Sequence, residues 1–229
     1  MRLRNVPNAY EKLLECANFI SEPQAYKGRW NEYFRNDNPI HMEIGPGKGQ
    51  FIMHLATENP GINYIAMEKS PVVLLKLIRK IPAEGIGNLA VISFDAEKLD
   101  EIFNSGEISK LYLNFPDPWP KKRHAKRRLT SPKFLAMYKR ILKPGSVIEF
   151  KTDNRDFFNY SLEEFRASGY DLVKATFDLY NSDFLEGNIP TEYEIKFHSM
   201  GIPINKLFAV YDLDSLSKEE GKVDIQAQE

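Results

Sequence analysis

A chain of 229 residues, of which 42% are hydrophobic, can bury one sizeable core, and this length favours one domain with terminal extensions over two full domains. No apolar run approaches the roughly 20 residues of a membrane-spanning helix, and the start of the chain lacks the apolar segment of a secretion signal. We therefore expect a cytoplasmic protein with no membrane partner. The single cysteine excludes an internal disulfide and a cysteine cluster, and we predict no metal site.

The net charge is -1, but positive charge is concentrated in one short segment. Residues 121–128, here named the basic segment, hold six of the 31 basic residues and no acid. A run of this kind is usually a solvated loop, yet concentrated positive charge is also what phosphate binding requires. Charge alone leaves both interpretations open.

The first 39 residues are predicted to form two helices, and a sheet is predicted to follow. From residue 40, apolar runs alternate with amphipathic stretches, which is typical of strands joined by crossover helices. The pattern predicts an α/β fold with a mostly parallel, seven-stranded sheet flanked by helices. The predicted strands are Ile40–Ile44, Ile62–Met67, Leu89–Phe94, Leu111–Phe115, Val147–Lys151, Tyr170–Phe177 and Lys206–Tyr211.

Several helix ends carry their own signals. Ser70 and Ser131 each precede a proline, so their hydroxyls are predicted to cap helices. A helix is predicted from Asn154 to Ser168, and a second, which begins with a capping box at Thr191–Glu194, should stop near Gly201. We divide the chain into an N-terminal helical extension (1–39), a catalytic domain (40–211) and an acidic tail (212–229), which we expect to be disordered.

A glycine-rich turn, Gly45–Gly49, follows the first predicted strand directly. Its glycines permit a tight turn and close approach of a nucleotide cofactor, although a turn used only for packing is the alternative. Gln50 stands where the dinucleotide fingerprint has its third glycine, which disfavours NAD. Glu43, on the first strand, is predicted to face the turn and to meet a positively charged part of the cofactor.

Two further acids follow the next strands. Glu68, 23 residues after Gly45, is predicted to accept hydrogen bonds from the hydroxyls of an adenosine ribose. Asp95 follows the third strand, where it either binds an adenine amino group, caps the next helix, or does both. NAD and S-adenosylmethionine share this chemistry.

A stiff loop follows the fourth strand. Residues 116–120, here named the proline loop, contain three prolines that preorganise Asp117 and Trp119 at the carboxyl end of a parallel strand. A rigid, packed turn is the alternative, but it does not account for a basic segment that begins at the very next residue.

The run Pro-Asp-Pro-Trp-Pro-Lys-Lys-Arg-His, followed by Lys-Arg-Arg, resembles the signature of bacterial tRNA (guanine-N7-)-methyltransferases. Glu43–Gly49, Phe150–Asn154 and Thr191–Glu194 also fit this family in order, so the resemblance covers roughly residues 35–211. It implies a class I methyltransferase (Rossmann-like) fold. It further implies S-adenosylmethionine as cofactor, S-adenosylhomocysteine as product, and a guanine in the variable loop of tRNA as the acceptor.

The resemblance also implies a role for each matching residue. Its cofactor-binding residues are Glu43, Gly45, Gly47, Glu68, Asp95 and Asp117, of which Asp117 is also our candidate for the catalytic residue. The substrate-binding positions are Lys121, Asp153, Thr191, Glu192, Tyr193 and Glu194. The RNA-binding positions are Arg123, His124, Lys126, Arg127 and Arg128.

Guanine N7 carries an unprotonated lone pair, so methyl transfer to it needs positioning and no general base. Asp153 and Glu194 are candidates for binding the guanine edge, with a helix N-cap and the capping box as their respective alternatives. Lys121 is predicted to contact either O6 or a phosphate, and Trp119 either stacks on the base or packs under its loop. The sequence does not distinguish a monomer from a homodimer.

Two rival functions stay open at this stage. One is a methyltransferase of the same fold with a small-molecule or protein acceptor, because fold and cofactor site do not select the acceptor. The other is an RNA-binding module that has lost catalysis. The basic segment argues against the first rival, and the set of acids at the cofactor turn argues against the second.

Overall fold

The computed structural model describes residues 6–212, which form two compact units, one ending at Asn104 and one beginning at Ser105. The tail predicted to be disordered lies, from residue 213 onward, outside the described residues. The division of the chain at residues 39 and 211 stays a prediction. Among the described helices, none combines the length and the apolar character that crossing a membrane requires.

The first unit alternates strands with helices. Its strands are β1 (Phe19–Ile20), β2 (Ile40–Ile44), β3 (Asn63–Glu68) and β4 (Leu89–Ser93). Its helices are α1 (Ala9–Leu13), α2 (Trp30–Phe34), α3 (Gln50–Glu58) and α4 (Pro71–Ile78), with short 3-10 helices at Pro23–Tyr26 and Ala96–Glu101. The strands hydrogen-bond in the order β1-β4-β3-β2, and every pairing is parallel.

The core of the first unit follows from strands that are covered on both faces. Every residue of β3 up to Met67 is buried, as expected of a central strand in a parallel sheet. Helix α3 contributes Phe51, Ile52 and Leu55 to this core at helical spacing. The carboxyl ends of β2, β3 and β4 lie at one edge, where the glycine-rich turn Gly45–Gly49 begins.

Strand β1 was missed by the sequence analysis, which found only helices in the first 39 residues. Phe19 and Ile20 pair with Val91 and Ile92 of β4. The Asn18 side chain holds the segment there, because its amide donates to the Ile86 carbonyl and its oxygen accepts from the Ile86 amide. A strand of two residues has too little periodicity to be predicted.

The second unit has strands β5 (Ile108–Asn114), β6 (Leu142–Thr152), β7 (Asp171–Thr176) and β8 (Asn205–Val210). Its helices are α5 (Pro132–Ile141), α6 (Arg155–Ala167) and α7 (Glu192–Ser199), with 3-10 helices at Lys122–Arg127, Leu179–Asn181 and Asp183–Leu185. The strand order is β5-β6-β8-β7. Strands β5 and β6 are parallel, whereas β8 runs antiparallel to both of its neighbours.

The predicted α/β class with mostly parallel strands is confirmed. All seven predicted strands are present in the described residues, with ends shifted by a few positions. The largest shift is in β6, which begins at Leu142, because the register of its pairing with β5 is irregular near Ile108.

The helix ends were predicted with mixed success. The capping box at Thr191 and Glu194 is confirmed, with both of its hydrogen bonds present. Helices do begin after Ser70 and Ser131, but neither side chain caps its helix, so that prediction is wrong. The Ser131 hydroxyl donates instead to the Lys126 carbonyl, and proline at the first helical position suffices to start each helix.

Strand β6 presents different chemistry on its two faces. Phe150 packs on the Phe157 and Phe158 rings of α6, with ring centroids 5.3 and 6.1 Å apart. The opposite face carries Glu149 and Lys151, both buried. This alternation is the period-two pattern of a strand, except that one face buries charge.

Glu149 is neutralised by lysines on both neighbouring strands. Its carboxylate lies 3.1 Å from Lys110 Nζ of β5 and 2.8 Å from Lys206 Nζ of β8. Burial alone would raise the pKa of Glu149, but Lys110, Lys206 and Lys151 outweigh burial and lower this pKa to about 2. Burial lowers the pKa of Lys206, and the Glu149 carboxylate opposes that shift.

Glu149→Gln is expected to destabilise the protein in a pH-dependent way. Ionised Glu149 stabilises the fold above its ordinary pKa of 4.5, and this contribution is lost as the pH falls through the folded value of about 2. The variant should unfold about 3 kcal/mol more easily at pH 7, the difference of 4.5 and 2 at roughly 1.4 kcal/mol per unit. Urea unfolding of both proteins between pH 7 and pH 2 measures this difference in the free energy of unfolding.

The difference should shrink below pH 4.5, where Glu149 becomes protonated in the unfolded chain, and it should vanish near pH 2, where Glu149 becomes protonated in the fold as well. Glu163→Gln, which changes an exposed acid on α6, serves as the matched control and should show no such difference. A difference of constant size at every pH would contradict the assignment to Glu149.

Candidate active site

The glycines of the turn after β2 have different surroundings. Gly45, Gly47 and Gly49 all have positive φ, at 78°, 56° and 74°. A Cβ at Gly49 would collide with the Leu77 side chain of α4, so this glycine serves packing. A Cβ at Gly45 or Gly47 would meet no atom within 4 Å, so these two glycines border open space. They are the two that the sequence analysis assigned to the cofactor.

The three acids that were predicted to bind the cofactor, Glu43, Glu68 and Asp95, lie on or just beyond the carboxyl ends of β2, β3 and β4. Glu43 is buried at 2% exposure on β2. Glu68 is the last residue of β3, and its Oε1 accepts a hydrogen bond from the Ser70 amide at 2.9 Å. Because parallel strands share one carboxyl edge, these acids occupy the position at which α/β folds bind ligands.

Asp95 caps the 3-10 helix that follows β4. Its Oδ1 accepts from the Glu97 amide at 3.0 Å, which confirms the capping role. Its Oδ2 lies 2.6 Å from Lys69 Nζ, and this hydrogen bond and charge raise the pKa of Lys69. The predicted contact of Asp95 with adenine stays a prediction.

The proline loop of the second unit is bracketed by two strained residues. Phe115 and Trp119 have φ of 50° and 41°, in the left-handed region that non-glycine residues avoid. Each such residue costs about 1–3 kcal/mol and persists only where its surroundings hold it. Asp117 lies between them and is exposed. The loop therefore presents this carboxylate on a backbone that is held against its own preference.

The basic segment forms a 3-10 helix from Lys122 to Arg127. Five of its cations are exposed: Lys121, Lys122, Arg123, Lys126 and Arg127. The Arg127 guanidinium lies 4.9 Å from the Trp119 ring centre, and the His124 ring meets Trp119 edge-on at 5.8 Å. Trp119 of the proline loop thus packs against the basic segment, whereas stacking of its ring on a base stays a prediction.

Arg128 differs from the other cations of the segment. It is half-buried, its Nε donates to the Pro118 carbonyl at 2.9 Å, and its Nη2 donates to the Trp119 carbonyl at 3.2 Å. The predicted contact of Arg128 with RNA stays a prediction, but its guanidinium already has protein acceptors.

Tyr193 stands at the centre of an aromatic group. Its ring stacks on Phe197 at 4.1 Å and lies 4.8 Å from Phe115, while 42% of the residue stays exposed. Its hydroxyl donates to Asp153 Oδ2 at 3.4 Å. Burial, followed by the charges of Asp153 and Asp117, raises the pKa of Tyr193 to about 12. Tyr193 is therefore a neutral hydroxyl at physiological pH.

Asp153 does not cap helix α6. The N-cap is Asn154, whose side chain accepts from the Phe157 amide at 2.8 Å. The helix-capping alternative for Asp153 is therefore wrong, and this half-exposed carboxylate faces Tyr193 instead.

Glu194, only one residue after Tyr193, is fully buried. Its Oε2 lies 2.7 Å from Lys151 Nζ, and both side chains are 0% exposed. Its Oε1 accepts from Asn188 Nδ2 at 2.7 Å and from the Tyr180 hydroxyl at 3.3 Å. Thr191 caps the same helix, so Thr191 and Glu194 together fix the start of α7.

Comparison with known proteins identifies the chain. A family model described as "Putative methyltransferase" matches residues 37–207. The tRNA (guanine-N(7)-)-methyltransferase of Lachnoclostridium phytofermentans is 52% identical over 209 residues, which cover 91% of this chain and 98% of that protein. The chain belongs to the tRNA (guanine-N(7)-)-methyltransferase family. The family member of Bacillus subtilis is 49% identical and covers 89% of this chain and 96% of its own length.

Solved structures show that this tRNA (guanine-N(7)-)-methyltransferase family member has a class I methyltransferase fold. The 16S rRNA methyltransferase KamB matches with a TM-score of 0.61 and 16% identity, over 80% of this chain and 93% of that chain. A 16S rRNA (adenine(1408)-N(1))-methyltransferase from Catenulisporales acidiphilia matches with a TM-score of 0.56 and 14% identity, over 80% of this chain and 92% of that chain. Another structure of that enzyme contains its cosubstrate SAM.

The residues that support the predicted site of this family member were not among the residues predicted from the sequence. Lys151, Tyr180 and Asn188 surround Glu194, and Phe197 supports Tyr193. Only Lys151 carries a signal in the sequence, because a lysine near the end of a predicted central strand requires a buried partner.

Lys151→Met is expected to lower the free energy of unfolding by roughly 3–5 kcal/mol, because it leaves the Glu194 carboxylate buried without its cation. Urea unfolding measures this loss. The double variant Lys151→Met/Glu194→Gln should recover part of it, since no uncompensated charge remains. Lys196→Met, at an exposed position of α7, is the control. Equal stability of the two lysine variants would overturn the buried-pair account.

Proposed function

We propose that this protein transfers the methyl group of S-adenosylmethionine to N7 of a guanine in the variable loop of tRNA, forming 7-methylguanosine and S-adenosylhomocysteine. The observation that carries the proposal lies in the second unit. There, the exposed Tyr193 donates a hydrogen bond to Asp153, and the charges of Asp153 and Asp117 both raise its pKa. The basic segment directly follows the loop that presents Asp117. The names of relatives about 50% identical over nearly their full length point to the same reaction.

The residues of the glycine turn fit the proposed cofactor. Open space beside Gly45 and Gly47 accommodates a ligand against the backbone, and an acid follows or ends each adjacent strand. In the proposal Glu68 accepts from the ribose hydroxyls, Asp95 binds the adenine amino group, and Glu43 faces the cationic methionine end. Bound S-adenosylmethionine supplies a methyl group already activated by its sulfonium. The family resemblance assigns Asp117 to the cofactor as well.

The proposed acceptor chemistry needs no base. Guanine N7 is an unprotonated nucleophile, and Tyr193, with its pKa raised to about 12, serves as a hydroxyl donor and not as a proton acceptor. The base becomes positively charged as it accepts the methyl group, so a fixed carboxylate beside it stabilises the transition state more than the ground state. Asp117 has this role in our proposal.

Recognition of guanine is proposed for the groups around Tyr193. Asp153 accepts from N1–H and from the N2 amino group, a donor pattern that adenine lacks. Lys121 donates to O6 or to a phosphate. Because Glu194 is fully buried and bound by Lys151, its part in recognition is to hold the α7 residues Glu192 and Tyr193 in place, with Thr191 at the N-cap.

The basic segment is proposed to bind the phosphates of tRNA. Arg123, Lys126 and Arg127 are exposed and supply the charge, and His124 is proposed to contact RNA beside them. Contacts of this kind give affinity and position without reading sequence. The net charge of -1 makes such a concentrated segment the site at which RNA would bind.

The first test incubates the protein with methyl-labelled S-adenosylmethionine and unmodified tRNA transcripts, then identifies the labelled nucleoside. We expect label in 7-methylguanosine, with kcat about 10²–10³-fold lower in Asp117→Ala and in Asp117→Asn, because both lack the charge. Asp156→Asn, an exposed acid of α6, is the matched control. Label in another nucleoside would refute the acceptor and leave the cofactor in place.

A second test addresses the basic segment. Arg123→Ala/Lys126→Ala should weaken binding of many tRNAs alike and reduce the slope of log affinity against log salt by about 0.7–0.9 per lost phosphate contact. Filter binding between 50 and 300 mM salt measures the slope. Arg166→Ala/Lys174→Ala, which removes two exposed cations outside the basic segment, controls for the loss of net charge. An unchanged slope in the double variant would show that the basic segment is a solvated loop that does not bind phosphate.

A further inference from the structure

The proline loop needs a restraint that its prolines do not supply. Each proline fixes its own φ and restricts the residue before it toward extended conformations, whereas Phe115 and Trp119, which both precede prolines, have positive φ. A backbone in that conformation relaxes unless the surrounding structure holds it. A group that binds the loop carbonyls near Trp119 would provide the restraint.

Arg128 makes those contacts. Its Nε and Nη2 donate to the carbonyls of Pro118 and Trp119, which are consecutive in the chain. A guanidinium suits this pair because its donors project in one plane with fixed spacing, whereas a lysine ammonium is a single point. These two carbonyls also occupy two of the hydrogen-bond donors of Arg128.

The other side of the Arg128 guanidinium rests on helix α6. Its central carbon lies 4.2 Å from the Tyr160 ring centre and 5.7 Å from that of Phe157, which is 1% exposed. Stacking on aromatic rings adds a cation–π attraction and limits the rotamers that the arginine can adopt. Arg128 therefore connects the proline loop to a helix of the core.

The neighbouring cations are placed differently. Arg123 and Lys126 are exposed, and Arg127 is exposed beside the Trp119 ring. Arg128 is half-buried and points at backbone carbonyls. Residues of the same type in the same segment thus have separate physical environments.

We propose that Arg128 is a positioning residue, which holds the proline loop in the conformation that presents Asp117, and that it does not bind RNA phosphate. The inference rests on the proposed function for its link to catalysis. Its structural part, the restraint on the loop, is independent of the substrate.

Kinetics with tRNA separates the two roles. If Arg128 restrains the loop, Arg128→Ala and Arg128→Lys should both lower kcat, by about 10- to 100-fold for a displacement near 1 Å. KM and the salt slope of tRNA binding should stay at wild-type values in both. Arg123→Ala should show the converse pattern for a phosphate contact, a raised KM and a slope smaller by about 0.7–0.9.

A measurement without tRNA tests the restraint directly. The chain has two tryptophans, and Trp30 is 1% exposed, so acrylamide quenching of tryptophan fluorescence reports mainly on Trp119. We expect stronger quenching in both Arg128 variants and no change in Arg123→Ala. Because no substrate is present, this readout stands even if the protein methylates a different acceptor.

Arg128→Lys keeps the charge and the aliphatic stem, so it serves if Arg128→Ala does not fold. Wild-type kcat and quenching in Arg128→Lys, or a flattened salt slope with normal kcat in Arg128→Ala, would overturn the proposal and make Arg128 a phosphate contact. Lowered kcat with stronger quenching and an unchanged slope supports it.

Discussion

The buried ion pair between Lys151 and Glu194 organises the second unit. Two charges without access to water require each other, and Lys151 Nζ also donates to the Asn188 side chain and the Ile189 carbonyl. One lysine at the end of β6 thereby fixes the segment that leads into α7. Tyr193 precedes Glu194 by one residue, so the pair also sets where its ring lies. An aromatic surface with 42% exposure is held by a contact that is itself inaccessible to solvent.

Those parts of the fold that depend on neighbours in the chain were predictable. Short runs of consecutive residues determine strand β2, the glycine turn after it and the capping box at Thr191. Each of these features is present as predicted. The packing role of Gly49 was not predictable in this way, because it depends on the distant side chain of Leu77. Local rules failed at Ser70 and Ser131, where a proline stands at the first helical position and the serine hydroxyl does not cap the helix.

The supports of the candidate site could not be predicted, because their partners are distant in the chain or share one residue type. Lys151 and Glu194 are 43 positions apart, and no periodicity connects them. Arg127 and Arg128 are adjacent and chemically identical, yet one is exposed and the other binds the proline loop. Asp153 and Asn154 present the same problem, since either could cap a helix and only Asn154 does. Such choices are settled by packing in three dimensions, not by residue preference.

The proposed chemistry explains why so much structure serves positioning. Methyl transfer to an unprotonated nitrogen from an activated donor leaves little bond chemistry to the protein, and alignment alone can be worth about 7–11 kcal/mol. Such a site benefits from rigidity more than from groups that move protons. Tyr193, with its pKa raised to about 12, and the strained Phe115 and Trp119 fit that requirement, since they fix geometry and stay chemically silent. In this reading the contacts that hold the proline loop against its strain, among them those of Arg128, keep Asp117 in place before substrate arrives.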